Sequence, residues 1–147
     1  MVVENFFETE FYPNIKEYVE ANSQYTPLIL KTESLVSDVF PIVPIQLLNS
    51  SNTYTTLSYE ETRYSFSIDI SIYSQDKTIA GKKVSKKKIC YEIADTIVKY
   101  LEGKYRLSMR IELDKDNVDS SVHRSIIHLT GVIDTTKGLD NLTIYPR

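Results

Sequence analysis

The segment Arg63 to Tyr73, RYSFSIDISIY, sets Tyr64, Phe66, Ile68, Ile70 and Ile72 in strict alternation with Ser65, Ser67, Asp69 and Ser71. A period of two is the repeat of a β-strand, whose successive side chains point to opposite faces. The segment is therefore a strand with one apolar face and one small polar face. A chain that contains it must supply a second layer to cover the apolar side. The polar side is unusually small for a solvated sheet, which commonly carries Lys, Glu or Thr. Ser65, Ser67, Asp69 and Ser71 are therefore candidates for a surface on which a neighbouring subunit lies, the alternative being an open sheet face.

The covering layer is legible as helices. Val3, Phe6, Phe7, Phe11, Ile15, Tyr18 and Val19 recur at steps of three and four, a helical stripe. Pro13 lies inside it, and the lost N–H predicts a kink, or one helix ending near Phe11 and another starting at Pro13. Asn22 to Gln24 reads as a loop. Pro27 to Val39 carries a weaker helical pattern through Leu28, Leu35, Val36 and Val39, ended by Phe40 and Pro41. From Ser85 to Leu101 the helical period returns. Cys90, Ile93, Ala94, Ile97 and Leu101 share one side, Lys88, Glu92, Asp95 and Lys99 the other, and Gly103 is placed to end the helix.

Further strands follow from the same logic. Ile42 to Leu48 is a short apolar run ending at Asn49, Ser50, Ser51 and Asn52, and Pro44 makes it an edge or bulged strand. Leu107, Met109, Ile111 and Leu113 alternate with polar residues. The acidic turn Asp114 to Asp119 then leads into His123 to Ile133, so these two strands form a hairpin with a longer loop. The tail LTIYPR adds a last short strand. The expected fold is α+β, with one mixed, mostly antiparallel sheet packed against helices. It forms a single domain over 1–147, with a helical segment at 1–39 and a sheet with one long helix at 40–147.

Residue chemistry narrows the function. The 147 residues suffice for one packed domain, and a net charge of −3 argues against coating DNA through a bulk basic field. The single cysteine, Cys90, lies in an apolar run and reads as a buried, inert thiol in a reducing compartment. MVVENFFETEF has acids where a secretory leader carries basic residues, and no apolar run approaches a bilayer span, so a soluble, cytoplasmically made protein is expected. His123 and His128 are five apart in a strand, on opposite faces, and do not share a metal. Asp114, Asp116 and Asp119 suggest a calcium loop, but Val118 and Asp119 fall where ligand and glycine are needed, so a solvated turn is expected. No nucleophile elbow or phosphate loop is present. Neither enzyme activity, cofactor nor metal is expected.

The run GKKVSKKK, Gly81 to Lys88, remains to be explained. Projected back along the helix at about 100° per residue, Lys83, Lys86 and Lys87 fall near the centre of its apolar face. Unpaired lysines are not buried. Either the helix starts only near Lys86, or its first turns overhang and present the lysines outward.

Phe40, Pro41, Ile42 and Val43, the Asn-rich segment after them, the alternating strand ending SIYSQD, GKKVSKKK with its helix, and VHRSIIHLTGVID with a closing IYPR follow one another in order. Over about Phe40 to Arg147 this order resembles the tail terminator, or tail completion, proteins of long-tailed bacteriophages and phage-tail-like particles. The resemblance implies a structural subunit, assembled with copies of itself as a hexameric ring on the tail tube. The ring stops tube polymerisation and joins tail to head. Implied partners are the tail tube protein, a neck or head-completion protein, and a sheath protein if the tail contracts, with DNA only passing through and no membrane. The implied locations are the bacterial host cytoplasm and then the virion tail. Candidate interface residues, from spacing alone, are Ser65, Ser67, Asp69 and Ser71 for subunit packing. Lys82, Lys83, Lys86, Lys87 and Lys88 with Asp114, Asp116 and Asp119 are candidates for axial or intersubunit contacts, the opposite charges pairing between neighbours. The alternatives are a head-side connector or stopper and, from another class, a nucleic-acid-binding module using Lys82–Lys88.

Overall fold

The computed structural model describes residues 2–31, 39–54, 62–115, 119–134 and 143–146. It is an α+β fold. The sheet runs in the order β1 (Leu28–Leu30), β2 (Ile42–Tyr54), β3 (Thr62–Ser74), β7 (His123–Asp134) and β6 (Ser108–Lys115). A short β8 (Thr143–Pro146) pairs with β7 beyond the end of β6. Only β1 and β2 pair in parallel; the other neighbours are antiparallel.

The alternating strand forms as its period requires. Phe66, Ile68, Ile70 and Ile72 are fully buried on one face, joined there by Val43 and Ile45 of β2 and Ile127, Leu129 and Ile133 of β7. Helix α3 (Lys86–Lys104) covers this face with Ile89, Cys90, Ile93, Ala94, Ile97 and Leu101. Each such aliphatic side chain stabilises the fold by about 1.5–3 kcal/mol when fully buried. Gly131 sits opposite Phe66, where an added Cβ would lie 2.7 Å from both Phe66 Cζ and Leu107 Cδ2. Glycine is what lets the aromatic ring lie against the strand.

The N-terminal stripe is one run of helix in three registers: α1 (Val2–Phe6), a π-helical segment Phe7–Phe11, and α2 (Tyr12–Asn22). The expected change near Phe11 and Pro13 takes the form of a register change, the π-helical segment ending at Phe11 and α2 starting at Tyr12. Phe7, Phe11, Ile15 and Val19 repeat every four residues, which overshoots an α-helical turn by about 40° each time. A wider turn takes up that drift, with the Tyr12 N–H reaching back to the Phe7 carbonyl. Pro13, lacking an N–H, falls in the first turn of α2, where the ladder changes register. The stripe is buried apart from the half-buried Tyr18, with Phe6 ring centroids 5.8 Å from Phe11, 6.0 Å from Phe66 and 5.9 Å from Tyr105.

Three expectations are corrected. Leu28–Leu30 is strand β1 and not helix, set by Thr26 at φ 48, Pro27, and pairing with Ile42–Pro44. Val39, counted toward that helical pattern, is 63% exposed, and residues 32–38 lie outside the described set. The strand at Ile42 does not stop at Asn49 but runs on to Tyr54 through an irregularity between Leu47 and Asn49. Finally, of the two alternatives left open for the lysine run, the overhanging helical turn is not formed at Lys82–Val84. That segment is strand β5, paired with β4 (Lys77–Ile79) around a two-residue turn in which Ala80 and Gly81 both have positive φ, 51 and 80. That geometry matches the twist of a hairpin and favours glycine.

No helix among the described residues is long and apolar enough to cross a membrane.

Candidate functional site

Of the two positions for the lysine run left open by the sequence, the helix starts at Lys86. Ser85 is its N-cap, the hydroxyl accepting from the Lys88 N–H at 3.2 Å. Lys83 therefore does not continue the buried helix face. Asp76 closes the hairpin against the helix, accepting the Lys86 N–H at 2.8 Å, with Lys83 Nζ at 3.7 Å. The Lys86 N–H holds the Asp76 carboxyl below its ordinary range. A carboxylate at this helix N-terminus offsets the unfavourable placement of lysines there.

The acidic turn meets the lysine run within one chain. Lys86 Nζ donates to the Ser120 carbonyl at 2.7 Å, and Lys87 Nζ lies 4.0 Å from Asp114. Lys88 pairs with Glu92 along the helix at 3.9 Å. Asp114 also accepts from the Tyr91 hydroxyl at 2.5 Å, which pushes that phenol up, and lies 3.4 Å from His123 Nε2. Asp119 accepts from the Ser121 hydroxyl and N–H, the hydroxyl first in holding its carboxyl down. Asp116, the remaining acidic candidate, lies outside the described residues.

The polar face of β3 divides into two halves. At one end Ser71 is 2% exposed beneath Arg124, which donates to its hydroxyl at 3.1 Å and lies over the Tyr73 ring. Ser71 is thus covered by its own chain. Toward the other end Ser65 and Ser67 are half-buried. Between them His128 bridges two strands: Nδ1 lies 2.8 Å from Asp69 Oδ1 on β3, and Nε2 2.8 Å from Glu112 Oε2 on β6. Asp69 and His128 are direct cross-strand partners, a contact that strand register reveals and that the spacing of the sequence alone does not.

His123 faces the other way, with Nε2 2.8 Å from the Leu113 carbonyl, which also accepts from the Ser125 hydroxyl at 2.6 Å. The register of β6 shifts between Glu112 and Lys115. Leu113 lies in that shift, where a bulge frees a carbonyl from the ladder. The two histidines on opposite faces have separate partners, and no group of three or more His, Cys, Asp or Glu among the described residues could hold a metal ion. Cys90 is buried, and burial pushes its thiol up to about 12.

The sheet has two edges, of which the sequence pointed only to the one at β2, through Pro44. Among the described residues, strand β6 ends the sheet on one side. Beside it Ile111 and Leu113, each 41% exposed, line an apolar groove with Tyr91, Ala94, Asp95 and Val98 of α3. On the other side β1 covers only Ile42–Pro44, so among the described residues β2 has no outer partner from Ile45 onward, and Leu48 there is 47% exposed.

No protein-family profile matches the chain, and no curated protein matches it significantly in sequence.

Proposed function

We propose that this chain is a structural assembly subunit of the tail-terminator kind, closing into a ring that caps a tail tube and joins it to a head or neck. The observation that carries the reading is the pair of open sheet edges. Strands β2 and β6 run in opposite senses, since each step across β2, β3, β7 and β6 is antiparallel. A second copy rotated about an axis along the strands sets its β2 antiparallel to β6 of the first, which continues the ladder from one subunit to the next. Because the two edges differ, such a contact is head-to-tail, and head-to-tail contacts form a ring where the rotation between neighbours closes. Exposed apolar residues lie at both edges, Leu48 on one and Ile111 and Leu113 on the other.

The sequence resemblance over about Phe40 to Arg147 points the same way. The lysine run gives less to the nucleic-acid alternative, because Lys83, Lys86, Lys87 and Lys88 each have a partner in the chain. On this reading the surfaces above and below the ring, toward tube and neck, include the hairpin tip at Ala80–Lys83 and the turn at Asp119–Ser121.

The test is tube capping. Purified protein added to polymerising tail tube subunits should halt elongation and appear as a disc on one tube end in electron micrographs. Unaltered tube lengths, with no end density at saturating protein, would contradict the reading.

A further inference from the structure

One imidazole between two carboxylates sets a hydrogen-counting problem. Each nitrogen of His128 lies 2.8 Å from a carboxylate oxygen, Asp69 on one side and Glu112 on the other. A neutral imidazole has one N–H and one lone pair. Neutral, it satisfies one carboxylate and turns a lone pair toward the other. Both contacts hold together only with hydrogen on both nitrogens.

We infer that Asp69, His128 and Glu112 form a proton-dependent brace that fastens the edge strand β6 to the sheet, complete only while both imidazole nitrogens carry hydrogen. The brace crosses three strands: Asp69 on β3, His128 on β7 and Glu112 on β6. It stands where the fastening of β6 is weakest. Among the described residues that strand has a ladder partner on one side only, and its register with β7 breaks immediately after Glu112. The three groups are 18%, 23% and 34% exposed, so the site is reached by solvent protons yet partly shielded from screening.

The surrounding charges act in both directions. On β6, Arg110 is the cross-strand partner of His128, and Lys115 Nζ lies 3.9 Å from Glu112. On β7 itself, Arg124 lies four residues away on the same face, and on β2 the residue opposite Asp69 is the uncharged Gln46. The two carboxylates favour the extra proton, and the cations of β6 and β7 oppose it. The His128 hydrogen bond comes first in holding the Glu112 carboxyl below its ordinary range, so the brace survives moderate acid. It opens as pH rises and the second hydrogen leaves.

The consequence is control of an edge. When the Glu112 contact becomes lone pair against carboxylate, the hydrogen remaining on Nδ1 toward Asp69, β6 loses its tie beside the bulge, and with it the position of Ile111 and Leu113 over the groove.

The experiment is amide hydrogen exchange of the full chain, corrected for intrinsic rates, at about pH 6 and about pH 9. Protection of β6 amides relative to the centre of β3 should fall about threefold at the higher pH, the scale of one partly exposed charged contact. Glu112→Gln should abolish this pH dependence while leaving β6 paired, because the carboxamide can donate to a bare nitrogen or accept from an N–H. Nitrogen chemical shifts of the His128 imidazole give the independent reading: both nitrogens protonated where β6 is protected, and one unprotonated where protection is lost. Equal β6 protection at both pH values, retained pH dependence in Glu112→Gln, or an unprotonated nitrogen beside a fully protected β6 would each overturn the inference.

Discussion

The two faces of β3 share one backbone and differ in how they are held. On one, Phe66, Ile68, Ile70 and Ile72 vanish into a core closed by α3 and the N-terminal helix. On the other, Asp69 and Ser71 are held by polar side chains from the neighbouring strand β7, His128 and Arg124. The first face is held by area removed from water, which is cumulative and indifferent to pH. The second is held by directed contacts between partly solvated groups, individually weak and dependent on protonation. One face therefore fixes the fold, while the other is available for adjustment and contact.

The largest expected effect tests that contrast directly. Phe66→Ala should cost about 3–5 kcal/mol in denaturant unfolding, whereas Ser67→Ala on the opposite face should stay within about 0.5 kcal/mol. Comparable losses at both positions would break the comparison. Next, Gly131→Ala should cost about 1–3 kcal/mol, because its Cβ meets Phe66 and Leu107 at 2.7 Å. A neutral result by thermal melting would show that the two side chains can withdraw.

The core face also makes a chemical prediction. With its thiol buried and pushed up to about 12, Cys90 should resist aromatic disulfide reagents at pH 8 in the native protein and react fully in denaturant. Stoichiometric labelling of the folded chain within minutes would contradict the closed core. The smallest effect belongs to the polar face. The folded Glu112 carboxyl lies below its unfolded value, so its contribution is present above the ordinary carboxylate range and is lost as pH falls through the lowered value. The gap in melting temperature between wild type and Glu112→Gln should therefore narrow between about pH 5 and about pH 3. A gap that widens on acidification would reverse the assignment.

Much of this arrangement is written in local periodicity. The alternation in β3, the apolar side of α3 and the stripe from Val3 to Val19 each repeat often enough for one period to win. The failures fall where local pattern is short or a partner decides. Leu28–Leu30 is too brief to show a period, and becomes a strand only because Ile42–Pro44 lies beside it. Asn49 to Asn52 look like a turn but are kept in β2 by the ladder to β3. The hairpin at Lys77–Val84 has its signal in one glycine at a positive φ, which is hard to distinguish from a helix lead-in when lysines surround it. For the candidate site, the sequence showed which residues share the polar face of β3. It did not show that Glu112 and Asp69 converge on one imidazole, since that depends on register across three strands. The lysine run and the acidic turn were expected to pair between subunits; within one chain Lys87 already lies 4.0 Å from Asp114.

The claim that these faces and edges serve a closed ring is tested most directly by the mass of the purified protein under native conditions across a range of concentrations. The account predicts a hexamer, or a monomer–hexamer mixture that shifts toward hexamer as concentration rises. A strict monomer at every concentration would contradict it.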